Sequence, residues 1–159
     1  MDKVTILVDA QNVYYTTKQA YSCGFDYNRF WQMAASNREV IRAIAYSSDR
    51  GDSKQQQFQN ILRAIGFEVK LKPYIQRSDG SSKCDWDVGI TIDAIESARD
   101  SDVVVLVSGD GDFDLLMKKL EKDFGVKTEV YGVPGLTAAS LIQSTSKYVA
   151  IENDLLLRK

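Results

Sequence analysis

Val103-Val104-Val105-Leu106-Val107-Ser108-Gly109-Asp110-Gly111-Asp112-Phe113-Asp114 is the stretch that decides the fold. Its first five residues are apolar and four of them are β-branched, the composition of a strand buried on both faces in a parallel sheet. The run stops at Ser-Gly-Asp-Gly-Asp, where small residues let the backbone turn and carboxylates stand at the strand's C-terminal end. Leu115, Leu116, Lys118, Lys119 and Leu120 then take up helical spacing. In open α/β sheets, ligands collect beyond the C-terminal ends of the strands. Acids placed there point to a hard cation, and a hard cation points to phosphate chemistry.

The same design recurs at the start of the chain. Val4 to Val8 is a strand apolar on both faces, and it too ends in an acid, Asp9. A helix from about Asn12 to Ser22 is expected to close with Gly24 as its C-cap. Asp26 caps a second helix that ends near Ser36. Glu39 to Ser47 reads as a second buried strand. Asp52 or Ser53 starts a helix through Phe58, Leu62 and Ile65 that Gly66 stops. Phe67 to Pro73 is a third strand, and Tyr74 to Lys83 a polar loop. A helix over Asp85 to Ala98 carries apolar residues at Val88, Ile92 and Ile95, broadened by Ile90 and Ala94. After the opening strand and its helix come a strand at Lys127 to Tyr131 and a short helix at Thr137 to Gln143. Lys147 to Ile151 reads as a short strand or an extended tail. Strands alternating with helices predict right-handed crossovers and a three-layer α/β/α sandwich around a mostly parallel sheet of about five strands. One domain over residues 1–159 is expected.

Composition narrows the chemistry. With 159 residues, 44% hydrophobic and 26% charged, the chain can bury one ordinary core. No run approaches the roughly 18 apolar residues of a membrane span, and Met1-Asp2-Lys3 leads straight into a short strand, so a cytoplasmic protein is expected. Cys23 and Cys84 belong to no ligand motif and read as free thiols. The chain has no histidine. That excludes Ser-His-Asp and Cys-His nucleophiles, imidazole bases and His-ligated zinc. Net charge is −2, which announces no polyanion partner but also hides none, since clustered acids offset a basic rim in the total.

The acids form a constellation. Asp9, Asp110, Asp112 and Asp114 follow buried strands, and Asp85, Asp87 and Asp93 begin or lie in one helix. Singly, each has a structural reading as a turn residue, an N-cap or a complement to the helix dipole. If the strands ending at Asp9 and Ser108 are neighbours, the carboxylates converge and repel, and a divalent cation relieves the crowding. Oxygen ligands alone favour Mg²⁺ or Mn²⁺ over zinc. Asp93 lies about 120° around and about 9 Å along the helix from Asp87, so the two do not share one ion.

Val-Asp-Ala-Gln-Asn-Val at 8–13, Lys-Cys-Asp-Trp-Asp-Val-Gly-Ile-Thr-Ile-Asp-Ala at 83–94 and Ser-Gly-Asp-Gly-Asp-Phe at 108–113 resemble the motifs of the NYN domain, in the LabA-like branch of the PIN-like nuclease superfamily. The resemblance covers nearly the whole chain. It implies a PIN-like fold and a metal-dependent ribonuclease site acting on RNA, with Asp9, Asn12, Asp87, Asp110 and Asp112 as its catalytic residues. Asp9, Asp87, Asp110 and Asp112 are the implied ligands of Mg²⁺ or Mn²⁺, with Asp85 and Asp114 as further candidates and Asp93 and Ser108 in support. Asp85-Trp86 departs from the small and aliphatic residues usual there, which makes Asp85 a rival to Asp87. Lys83, Arg77, Arg50 and Lys54 are candidates to grip an RNA backbone. Tyr14 and Tyr15, near Asp9, offer either base stacking or packing. Two other classes stay open: a metal-dependent phosphohydrolase of a small metabolite, and a catalytically weak domain that binds RNA or protein. Oligomeric state is open too, a homodimer included.

Overall fold

The computed structural model describes residues 1–49, 51–73, 75–76, 82–83 and 85–157, the side chains at 73, 75, 76, 82 and 83 excepted. In chain order the elements are β1 (Asp2–Asp9), α1 (Ala10–Tyr21), α2 (Tyr27–Ala35), β2 (Arg38–Asp49), α3 (Ser53–Ile65), β3 (Glu68–Pro73), β4 (Ile75–Gln76), β5 (Ser82–Lys83), α4 (Asp87–Ala98), β6 (Val103–Val107), α5 (Asp114–Phe124), β7 (Lys127–Gly132), α6 (Ala139–Ser144) and β8 (Lys147–Ala150). Single 3₁₀ turns at Gly111–Phe113 and Asn153–Leu155 complete them.

Six parallel strands form one sheet in the order β3-β2-β1-β6-β7-β8. β1 and β6 lie side by side at its centre, Val4 opposite Val103 and Val8 opposite Val107. All five residues of β6 are buried, as are Val4 to Val8 in β1. Two apolar layers flank the sheet. One joins Val4, Ile6 and Val8 to Val13, Phe30 and Leu62 of α1, α2 and α3 and to Phe25 between α1 and α2. The other joins Leu7, Val104 and Leu106 to Ile90, Ala94, Met117 and Leu120 of α4 and α5. The alternation of side chains along each buried strand sends successive residues into opposite layers.

Four local expectations are corrected. The sheet has six strands, because Lys147–Ala150 pairs in parallel with β7 at the open edge. Its burial is only partial, which is why its sequence signal is weak. The segment read as a polar loop contains the antiparallel pair of β4 and β5. Helix α1 begins at Ala10, and Ser22, not Gly24, takes the left-handed closing position at φ 56° while its N–H donates to the Lys18 carbonyl. Gly24 instead pairs with the C-terminal segment, its carbonyl accepting from Leu157 N–H at 2.8 Å. On α4, Val88 is 72% and Ile92 51% exposed, while the buried face is Ile90, Asp93, Ala94, Ser97 and Ala98. The true stripe was masked by its own composition, since small residues and a carboxylate carry little apolar signal. No helix among the described residues is long and apolar enough to cross a membrane.

Candidate functional site

The chain runs outward from β1 to β3 on one side and restarts at β6 on the other, so the sheet's direction switches between β1 and β6. Crevices open at such points, beyond the strands' C-terminal ends. Asp9 closes β1 there, and Ser108 to Asp110 follow β6. Asp9 caps α1: one carboxylate oxygen accepts from Asn12 N–H at 3.5 Å and the other from the Ser108 hydroxyl at 3.1 Å. Ser108 is 1% exposed, and its Oγ also accepts from Asp110 N–H at 3.2 Å. Asn12 Oδ1 accepts from Gly109 N–H at 2.9 Å. These bonds stitch the turn after β6 to the start of α1, across 97 to 99 residues of chain.

The turn is tight for a steric reason. A Cβ on Gly109 would stand 2.5 Å from the Leu136 carbonyl oxygen, and the Gly109 carbonyl accepts from Ala138 N–H at 3.0 Å. Asp110 then caps the 3₁₀ turn by accepting from Asp112 N–H at 2.9 Å. The turn thereby aims Asp110 and Asp112 toward the start of α4. There Asp87 is the first helical residue, and its N–H donates to Asp85 Oδ1 at 2.7 Å.

Asp87, Asp110 and Asp112 each offer a carboxylate oxygen, and these oxygens lie within 4.8 Å of one another. Oxygens on opposite sides of an octahedral Mg²⁺ stand about 4.2 Å apart and adjacent ones about 3 Å. Small side-chain rotations would fit this donor set to a hard cation. Crowding shows in the acid–base behaviour. Asp87 is pushed up to about 8 by burial, by the Asp85 hydrogen bond and by the charge of Asp110. Asp9 is pushed up to about 6, chiefly by burial, against the lowering effect of its bonds from Asn12 and Ser108. The Asp110 and Asp85 charges add to that rise.

The structure thus brings Asp87, Asp110 and Asp112 into one cluster, with Asp9 beside it and tied to Ser108. Asp85 borders the cluster from an exposed position and holds the Asp87 backbone. Asp114 is half-buried at the start of α5 and outside that three-oxygen group. Asp93 lies outside that three-oxygen group. Its carboxylate accepts from Tyr46 Oη at 2.7 Å and Lys70 Nζ at 2.9 Å, with Arg42 Nη2 at 3.5 Å. Burial works to raise its pKa, but Lys70, Tyr46 and Arg42 hold it below the usual carboxylate range. Lys54 lies at the start of α3 and lines the groove between α1 and α3. Arg50, Arg77 and Cys84 lie outside the described residues, as does the side chain of Lys83.

One residue escaped sequence reasoning. Trp86, noted only as a departure, wedges the start of α4 against β2. Its Nε1 donates to the Ser47 carbonyl at 2.9 Å. Its ring lies 5.2 Å from that of Tyr46 and 4.5 Å beneath Lys72 Nζ. Lys72 Nζ also donates to the Asp85 carbonyl at 2.8 Å. A Cβ at Gly89 would meet the indole at 2.6 Å. The dipeptide Asp85-Trp86 followed by Gly89 is the only signal the sequence holds, and it becomes legible once β2 is known to lie opposite.

Comparison with known proteins follows the same residues. A family model for the NYN domain matches residues 3–152. The low amplitude and bright protein LabA of Synechococcus elongatus is 27% identical over 161 residues, covering 96% of this chain and 85% of LabA. A crystal structure of a protein of unknown function from Vibrio parahaemolyticus is 57% identical, with a TM-score of 0.93 over 98% of this chain and 96% of that one.

Proposed function

The chain belongs to the NYN domain family, and from that premise we propose that it is a metal-dependent ribonuclease that hydrolyses RNA phosphodiesters at the Asp87–Asp110–Asp112 cluster. The observation that carries the reading is the convergence of three carboxylate oxygens within 4.8 Å at the sheet's switch point. In a chain without histidine, that donor set suits Mg²⁺ or Mn²⁺. Bound there, such an ion would supply charge neutralisation on the phosphate and a water acidic enough to attack it. Asp87, Asp110 and Asp112 would hold it, and Asp9 would border it from the β1 side. Ser108 positions rather than attacks, because its hydroxyl already donates to Asp9 and its oxygen accepts from Asp110 N–H. Asn12 locks the turn through Gly109 and so fixes where Asp110 points.

The test is a panel of single-stranded and structured RNAs incubated with Mn²⁺ or Mg²⁺, wild type against Asp110→Asn. Cleavage is expected from wild type and a loss of at least a hundredfold from the variant. Undiminished cleavage by Asp110→Asn would place the activity elsewhere. Turnover of nucleotides but not RNA would favour the phosphohydrolase class, and RNA binding without cleavage the regulatory one.

A further inference from the structure

On the opposite face of the sheet from the acidic helix lies a groove of about 1300 Å³ between α1 and the start of α3. It exceeds the roughly 300–1,000 Å³ of a small-molecule pocket. One wall is a single face of α1, where Gln11, Tyr14, Lys18 and Tyr21 follow one another at helical spacing. The other wall is built by Ser47 and Ser48 of β2 and by Lys54 and Phe58 of α3.

We propose that this groove binds the bases and backbone of a single-stranded RNA whose neighbouring phosphodiester lies at the acidic cluster, a proposal that rests on the ribonuclease reading for the second half of that statement only. Four observations carry it. Tyr14 is 57% and Tyr15 52% exposed, and their rings meet edge to face at 5.5 Å. They are therefore not core aromatics, unlike Phe25 and Phe30 at 5% and 0%. Lys18 Nζ stands 5.8 Å from the Tyr14 ring centre, which sets a cation beside a stacking surface, as a base with its own phosphate requires.

Charge in the groove is complementary to a polyanion. Its lysines are Lys18 and Lys54. Its acid, Asp52, holds Gln55 N–H at 2.7 Å as the cap of α3. Gln11 adds a polar group with no internal partner: its Oε1 is shielded and accepts no hydrogen bond among the described residues. A ribose hydroxyl or a base amine would give the side chain a reason to turn outward.

Finally, the groove is continuous with the acidic edge. Asp9 pairs with Tyr46 in register, so Ser47 and Ser48 project past it at the same end of the sheet. Ser47 lines the groove with its side chain's residue while its carbonyl receives Trp86, the residue before Asp87. A strand leaving the cluster over this edge enters the groove directly. A duplex would present its bases to each other instead of to Tyr14.

The experiment is fluorescence anisotropy of a labelled six-nucleotide oligouridylate in EDTA, where no cation supports cleavage. Wild type is expected to bind this strand more tightly than a blunt duplex of equal length. Tyr14→Ala should weaken binding by between about fivefold and a hundredfold, the range for losing one stacked base, and Tyr14→Phe should restore it. Lys18→Ala with Lys54→Ala should flatten the slope of log affinity against log salt by about 1.4. Equal binding by wild type and Tyr14→Ala overturns the proposal. So does equal binding of duplex, or displacement of the strand by polyglutamate as readily as by unlabelled RNA, since the groove would then read charge alone. The two readings separate cleanly. Binding that depends on Tyr14 without cleavage in Mn²⁺ leaves the groove standing and removes the nuclease. Cleavage whose KM ignores Tyr14→Ala does the reverse. Tyr14 is exposed, so its variants should melt with the wild type, and that melt is the control for folding.

Discussion

Asp87 is uncomfortable where it stands. Burial and two neighbouring acids raise it from 3.8 to about 8, and Asp9 is raised to about 6. For both groups the folded chain keeps a proton that the unfolded chain has already released above about pH 4. The stability these two groups contribute in the cation-free protein should therefore be full below about pH 4. It should fall as pH rises through 6, where Asp9 ionises, and on toward 8, where Asp87 does. Asp87 is partly exposed, so solvent screening reduces the effect well below what the full shift would give. Asp87→Asn is expected to melt about 2–4 °C above wild type at pH 8 and level with it at pH 4, as thermal scans in EDTA would read. Parallel melting curves at both pH values would contradict this. Added Mn²⁺ should raise the wild-type melting temperature more at pH 8 than at pH 6, because fewer protons then compete with the ion for the carboxylates. It should do little for Asp87→Asn.

At the scale of the element, the start of α4 is the part of the site that depends most on its surroundings. Trp86, at the cap position of α4, makes no side-chain bond to the helix, and Asp85 takes the Asp87 N–H instead. Trp86 anchors the helix start through a bond to β2, a ring against Tyr46 and a cation overhead. Trp86→Ala should lower Mn²⁺ affinity about tenfold by calorimetry, through a loosened Asp87. Trp86→Phe should recover part of that loss, since it keeps the ring contacts and loses the bond to Ser47. Gly109→Ala should be worse for the cluster than its single methyl suggests. The added carbon meets a backbone oxygen at 2.5 Å, and overpacking of this kind costs about 1–3 kcal/mol. Elements with uniform apolar runs, β1 and β6, were legible from the sequence, and so were the acids that end them. What the sequence hid was set by partners far away in the chain. Asp93 reads in the sequence only as a supporting acid, and the fold supplies its partners, Tyr46, Lys70 and Arg42. Val88 and Ile92 looked like core because nothing local says which way α4 rolls. Ser22 closes α1 against the preference for glycine, and Gly24, two residues on, pairs with Leu157.

Across the whole molecule, an ion pair away from the acidic edge adds to the β1–β6 pairing that joins the two halves of the sheet. Arg38 at the start of β2 meets Glu129 of β7 in a two-pronged contact, at 3.0 and 2.6 Å. Glu129 is 7% exposed. Arg38→Ala should therefore leave a charge stranded and cost about 3 kcal/mol, lowering the melting temperature by about 6–12 °C. Replacing both residues with methionine should recover most of the loss. A single variant melting within 2 °C of wild type would show that Glu129 finds water instead. The α/β class and the parallel sheet followed from the alternation of patterns. The sixth strand did not, because an edge strand with half-exposed residues carries too little apolar signal to separate it from a tail.

The central pairing of β1 with β6 has a consequence for the making of the protein. Asp9 belongs to the first strand, whereas Asp87, Asp110 and Asp112 come 78 to 103 positions later. A growing chain folds from its N-terminal end at roughly 5–20 residues per second. Strand β1 therefore waits several seconds with one flank unpaired before β6 exists to fill it. Throughout that interval the emerging polypeptide has no acidic cluster, and so none of the chemistry proposed for it. The cluster is therefore a late product of synthesis, complete only once residue 112 has been made.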